Sequence, residues 1–358
     1  MFLQTFYTSE GREGYGEFRE PIGRAGARGE RRVGYPRRHK PNMAGSGTRL
    51  DFARMRPSAL RLAAAALAAA AAAGRLGAQT LDPRAYAANP IGASFALASY
   101  AYQTGDVVFD PTVPITDVSA KLNAGAVAYV RTFGLFGRSA NAGVVVPYVW
   151  GSLEGNVFEE RRRITRSGFA DLQMRFSTNI LGSPARTPAE FARQPPKTTL
   201  GFSLFVSAPS GEYDPTRLIN ISAHRWAFKP ELGLSHPMGK WVFELYGGVW
   251  FFTENTNFFG GQTRSQAPIG TFQGHVSYTF RPRMWLAADA TYYTGGRTTV
   301  NGRLNADLQT NSRVGLTAAL PIHGPHSVKL AWSRGASTRI GADFTTYQVT
   351  YQFLWFDR

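Results

Sequence analysis

Thr346-Tyr347-Gln348-Val349-Thr350-Tyr351-Gln352-Phe353-Leu354-Trp355 is the stretch from which the fold is read. Tyr347, Val349, Tyr351, Phe353 and Trp355 share one side, and Thr346, Gln348, Thr350 and Gln352 the other. Successive side chains of a strand point to opposite faces, so strict alternation predicts a strand with one apolar and one polar face. Working back along the chain, the pattern recurs. Val328, Leu330 and Trp332 oppose Ser327, Lys329 and Ser333. Val314, Leu316, Ala318 and Leu320 oppose Arg313, Gly315 and Thr317. Phe272, Val276, Tyr278 and Phe280 oppose Gln273, His275, Ser277 and Thr279, and similar segments reach back to residue 94.

Alternation alone fits either a soluble sandwich or a membrane barrel. The segments run to about 9–13 residues, close to the ~9–11 that a tilted strand needs to cross a bilayer. Connection lengths alternate. Short turns are expected at 134–138, 236–240, 281–283 and 321–326, and long loops at 105–116, 152–165, 209–222, 253–267, 294–311 and 334–341. Short periplasmic turns against long outer loops is the outer-membrane pattern. The seven tryptophans fall near strand ends, as interfacial girdles require, although parity turns Trp250 and Trp285 inward. The fold class is therefore all-β: a transmembrane antiparallel up-and-down β-barrel of about 12 strands over residues 94–358. Residues 181–197 break the alternation of lengths, and Thr187-Pro188-Ala189-Glu190 within them predicts a short capped helix. Strands 94–104 and 117–133 read less clearly, because both of their faces are partly apolar.

The N-terminal part differs in kind. Residues 1–54 are Gly, Arg, Glu and Pro without periodicity, which predicts a disordered extension from an over-extended start, with Met43 or Met55 as the true one. Residues 55–78 have a basic beginning, an Ala/Leu run over 62–73 and a cut after Ala78, the form of a signal peptide. Residues 79–93 are then a periplasmic N-terminal segment. Residues 1–78 hold 14 basic and 6 acidic side chains, 8 of the formal net charge of +16, so no basic patch on a folded domain predicts a nucleic-acid partner. There is no cysteine, hence neither a disulfide framework nor a thiolate metal site.

At this level the chain resembles the outer-membrane transporter family associated with the meta-pathway of phenol degradation. The resemblance is a scatter of short motifs over most of residues 90–356. They include Tyr102-Gln103-Thr104-Gly105-Asp106-Val107, Tyr129-Val130-Arg131-Thr132-Phe133, Ala208-Pro209-Ser210-Gly211-Glu212-Tyr213, Arg225-Trp226-Ala227-Phe228-Lys229-Pro230-Glu231 and Asn311-Ser312-Arg313-Val314-Gly315. It implies a β-barrel and a transporter, and any preference for aromatic solutes comes from the family's association only. The ending Trp355-Phe356-Asp357-Arg358 departs from barrels that close on an aromatic residue.

If the apolar faces meet lipid, the ionisable residues opposite them line the lumen: Lys121, Arg131, Asp171, Arg175, Arg225, Lys229, Glu231, Glu244, His275, Asp289, Arg313 and Lys329. Their signs are mixed, so they either pair across the lumen and plug it or line a narrow path. The 209–222 loop is a candidate for folding inward or for remaining at the surface, and Phe258-Phe259-Gly260-Gly261 for gating. Arg161-Arg162-Arg163 reads as a solvated run or a contact for lipopolysaccharide. His275 and Ser277 share a face, but no carboxylate at short range completes a triad, and His323 and His326 read as turn residues. No metal or phosphate motif is present, and no cofactor is expected. The expectation is a non-enzymatic transporter or channel for small hydrophobic or aromatic solutes in the bacterial outer membrane. Its partners would be outer-membrane lipid, lipopolysaccharide, the barrel-assembly machinery and periplasmic chaperones. A plugged structural or surface-interaction barrel and an outer-membrane lipid hydrolase stand as alternatives.

Overall fold

The computed structural model describes residues 81–109, 115–157, 160–193 and 197–356. The expected extension (1–54) and signal peptide (55–78) lie outside them. Strands β1 (Ala93–Val108), β2 (Ile115–Leu135), β3 (Arg138–Val157), β4 (Glu160–Phe169) and β5 (Gln173–Leu181) precede the helix α1 (Pro188–Ala192). Then come β6 (Thr199–Ser207), β7 (Ala227–Met238), β8 (Trp241–Phe252), β9 (Asn255–Phe258) and β10 (Gln262–Gln266). β11 (Ile269–Arg281), β12 (Met284–Gly295), β13 (Thr298–Val300), β14 (Arg303–Leu304), β15 (Gln309–Pro321), β16 (His326–Thr338) and β17 (Gly341–Phe356) follow. Among the described residues no helix is long and apolar enough to cross a membrane.

The long strands pair antiparallel with their neighbours, and β1 pairs with β17 from Ala93↔Phe356 to Val108↔Gly341. The circuit β1-β2-β3-β5-β6-β7-β8-β11-β12-β15-β16-β17 thus closes as an up-and-down barrel of twelve strands, with no open edge in the wall. Burial is inverted relative to a soluble protein. Leu245, Phe272, Leu286, Leu316 and Val349 are exposed on the outer face, while Glu244, His275, Asp289, Arg313 and Thr317 are buried inside. A sandwich core would show the opposite, so the apolar band is a lipid-facing surface.

Three expected loops are strand over half or more of their length. Half of 105–116 is taken up by β1 and β2, and most of 152–165 by β3 and β4 and of 334–341 by β16 and β17. The β3–β4 hairpin is one such extension, and its stave contains a defect with a cause. Pro147 on β3 has no N–H to give its neighbour, and the facing strand breaks there. Tyr148 pairs with Phe169 and Val145 with Gln173, so three residues, 170–172, face two. This one-residue bulge exchanges the inner and outer parities between β4 and β5 and turns Asp171 into the barrel. The irregular 181–197 connection does contain α1, where Thr187 caps Glu190 N–H and the Glu190 side chain returns to the Thr187 N–H (2.8 Å).

The lumen as candidate functional site

Two segments fold into the barrel. The first is residues 81–92, expected as a periplasmic lead-in. From Leu81 onward it runs inside the wall before joining β1. Arg84, at φ 64° in the left-handed region, is fixed on three sides. Its N–H donates to Glu244 Oε2 (2.6 Å), its Nε to Ser277 Oγ (3.0 Å) and its Nη2 to Thr279 Oγ1 (2.6 Å). Its guanidinium also lies over the Trp285 ring, 4.8 Å from the centroid. The Asp82 carboxylate bridges Arg175 (3.5 Å) and Lys329 (3.3 Å) on opposite walls. The Tyr86 hydroxyl donates to Glu231 Oε1 (3.0 Å), and its ring meets Tyr246 edge-on at 4.8 Å. That ring fits because Gly201 and Gly233 are cross-strand partners on β6 and β7. A Cβ on either would overlap it. Where the segment joins the wall, the Thr132 hydroxyl donates to Pro90 O (2.7 Å), and Ile91 N–H to Arg186 O (2.8 Å) beside α1.

The second segment is the 208–226 connection at the loop end. Asp171, freed by the bulge, accepts from Gly211 N–H (3.1 Å), Ser222 Oγ (2.5 Å) and Ala223 N–H (3.0 Å). These bonds draw the connection inward. Ile219 and Ile221 then pack on the inner wall against Val107, Val118, Leu122, Val149, Leu153 and Phe344. Arg166 Nε donates to Ile219 O (3.1 Å). Above it, β9, β10, β13 and β14 form a separate four-stranded sheet over the former 253–267 and 294–311 loops. Phe258 and Val300 of that sheet pack on Leu218, so the expected gating motif is partly a small core. On this surface the hydroxyl and N–H of Thr216 hold the Asp214 carboxyl below the usual carboxylate range.

The lumen therefore has two unlike walls. On β1–β3 the inward residues include Phe95, Leu97, Leu122, Ala124, Val130, Val145 and Val149. On β7–β15 they are hydrogen-bonded polar groups. Lys229 and Glu231 form a buried ion pair (2.6 Å), with Lys229 Nζ 4.1 Å from the Phe205 ring centroid. His275 Nδ1 meets Asp289 Oδ1 (2.8 Å), whose other oxygen accepts from Thr317 Oγ1 (2.6 Å). Arg313 donates to Phe344 O (2.8 Å), and Arg225 binds Gln266 and stacks over Phe252. Residues 81–92 lean on the polar wall. Beside them a cavity of about 560 Å³ remains, lined by Phe95, Leu97 and Val130 on one side and by Asp82, Arg84 and Trp285 on the other.

The family model described as "Putative MetA-pathway of phenol degradation" matches residues 100–353. The chain belongs to this family. Among solved structures, the COG4313 outer membrane channel from Pseudomonas putida F1 is similar at a TM-score of 0.65 and 18% identity, over 77% of this chain and 100% of that one. The β domain of the Bordetella autotransporter BrkA matches at 0.45 and 11% identity, over 73% and 99% of the two chains. The NanC porin matches at 0.42 and 9%, over 72% and 98%. The first likeness places the barrel among outer-membrane folds. No curated protein matches the chain by sequence.

In this family member, Asp171, Arg175, Arg225, Lys229, Glu231, Glu244, His275, Asp289, Arg313 and Lys329 point into the barrel. Lys121 and Arg131 do not, and correct the expectation. Both are exposed on the outer face, because the even-numbered residues of β2, Val118 to Thr132, form its inner side. Polarity misassigned this strand: its inner face is apolar, with Val118 and Leu122 packed on the isoleucines of the 208–226 connection and Val130 lining the cavity. Trp250 and Trp285 are inside, as parity requires. A carboxylate does accompany His275, since Asp289 is its cross-strand partner. Yet the pair is fully buried, and Ser277 already accepts from Arg84. Asp82, Arg84 and Tyr86 escaped the sequence reading. The signal available was a charged and aromatic run in a stretch too short to fold alone.

Proposed function

We propose that the protein is an outer-membrane channel for small amphipathic or aromatic solutes, held nearly closed to ions by its two inward segments. The observation that carries this reading is the unequal lumen. Within the segment 81–92, Arg84 and Tyr86 take their hydrogen bonds from the polar wall and leave the cavity open toward Phe95, Leu97 and Val130. A solute with an apolar body and one polar group matches that crevice. A hydrated ion would shed water against an aliphatic face without repayment. The family's association with phenol degradation and the fold shared with a solved outer membrane channel support the same class.

The test is uptake of a small phenol into proteoliposomes alongside ion conductance in planar bilayers. Flux of the phenol with low conductance is expected, and Leu97→Asp, which touches no bond of residues 81–92, should abolish the flux. Absence of flux in a correctly folded barrel would leave the plugged structural role in its place.

A further inference from the structure

Three cations gather on the outward face, beyond the aromatic residues at the loop end. Lys121 of β2 is the direct partner of Ser152 on β3, and Ser152 of Thr165 on β4. One row further out Arg163 faces Glu154, and beyond it Arg161 faces Asn156. Arg163 Nη2 reaches back to the Ser152 hydroxyl at 3.5 Å, so Lys121 and Arg163 flank that hydroxyl from two strands. Glu154 is shared between Arg161 (3.1 Å) and Arg163 (3.3 Å), and one carboxylate between two guanidiniums leaves positive charge over, to which Lys121 adds. Asp117, whose carboxylate keeps its charge while accepting from the neutral Asn156 Nδ2 (3.0 Å), and Asp106 both stand further out than Lys121, so the positive excess lies at the row of Lys121 and Ser152.

Toward the membrane the surface changes character within one row. Asn123 faces Trp150 and accepts from the Tyr100 hydroxyl (2.7 Å). The Tyr100 and Tyr148 rings lie 6.2 and 6.1 Å from Trp150. Tyr100 and Tyr102 also wall an apolar recess of about 510 Å³ in the lipid-facing surface, closed on its other sides by Leu330, Trp332 and Val349. Cations flanking a hydroxyl, an aromatic belt and an apolar recess follow one another in the order of head, interface and chain of an anionic amphiphile.

We propose that this face binds a phosphorylated, multiply acylated glycolipid of the outer leaflet. A phosphate sits among Lys121, Arg163 and the Ser152 hydroxyl, where charge-assisted bonds are strong, and one acyl chain lies in the recess below Tyr100. The proposal rests on the outer-membrane placement and not on the solute.

The experiment is native mass spectrometry of the full barrel, titrated with bisphosphorylated lipid A, with its dephosphorylated form and with inorganic phosphate. Lipid A should bind to the wild type, and the double variant Lys121→Ala/Arg163→Ala should bind it about tenfold more weakly, equivalent to about 1.4 kcal/mol. Ala318→Trp, which fills the recess, should weaken binding without touching the cations. Heat-modifiable gel migration checks that each variant is folded, and Ser152→Ala serves as a milder variant if the double one is not. Equal affinity for the dephosphorylated lipid, undiminished binding by the folded variants, or inorganic phosphate binding as tightly as lipid would overturn the proposal. Phenol flux through the double variant should be unchanged, so failure here is separable from failure of the channel reading.

Discussion

The two segments inside the barrel are held by opposite chemistry. Residues 81–92 dock through hydrogen bonds and ion pairs to side chains on seven strands, from Thr132 on β2 and Ser139 on β3 round to Lys329 on β16, with Tyr86 the main buried ring. The 208–226 connection is drawn in by one carboxylate and seated by isoleucines on an aliphatic wall. Bonds to charged groups contribute about 1.5–3 kcal/mol each and act only at short range. Apolar burial is without direction and tolerates sliding. The lower segment is therefore a latch with a single position, and the upper one a packed stopper. The difference predicts how each fails.

Deleting residues 81–90 should have the largest effect. It removes the latch whole, leaves Glu231 and Glu244 facing water, and should raise single-channel conductance in planar bilayers by a large multiple. Unchanged conductance in a folded deletion variant would show that the upper stopper alone sets the closure. The reciprocal test is Ile221→Asp. A carboxylate without a partner among Val107, Leu122 and Leu153 costs several kcal/mol, on the order of the loop's whole apolar seat. The connection should leave the wall and become cleavable by protease near residues 213–218, with a smaller rise in conductance because the latch remains.

Gly233→Val sharpens the contrast further, since it removes no polar partner. The new side chain occupies the place of the Tyr86 ring, so the latch loses its register while Arg84 and Asp82 keep their partners. Conductance between that of the wild type and of the deletion is expected, as flicker rather than a steady open state. If a rigid latch is the wrong description, the trace will match the wild type.

These effects follow from features that the sequence reveals unevenly. Closure, strand number and lipid-facing faces were legible in β7–β17, where a polar inner wall gives clean alternation. They were faint in β1 and β2, whose inner wall is apolar both where the stopper packs on it and along the cavity. For the same reason Lys121 and Arg131 were assigned to the wrong face. Asp171 was placed inward by parity, but its purpose depends on a bulge opposite Pro147, which is a property of pairing rather than of either strand alone. Arg84 and Tyr86 were out of reach altogether. Their partners Glu244 and Glu231 lie 160 and 145 residues away, and no local pattern encodes a contact of that span.

The smallest effect is expected where latch and wall meet. Ile91 is tied to Arg186, one residue before the Thr187 cap of α1, and Phe191 of that helix lines the cavity beside the latch. Thr187→Ala removes a cap worth about 1 kcal/mol on an exposed helix of five residues, so α1 should fray while the barrel stays intact. Faster amide exchange confined to residues 188–193, with conductance unchanged, is the expected result. Exchange that also quickens at Ile91 and Gly92 would mean that α1 clamps the latch. In that case the latch is secured at its root as well as at Arg84, and the deletion should extend to residue 92 rather than stop at 90.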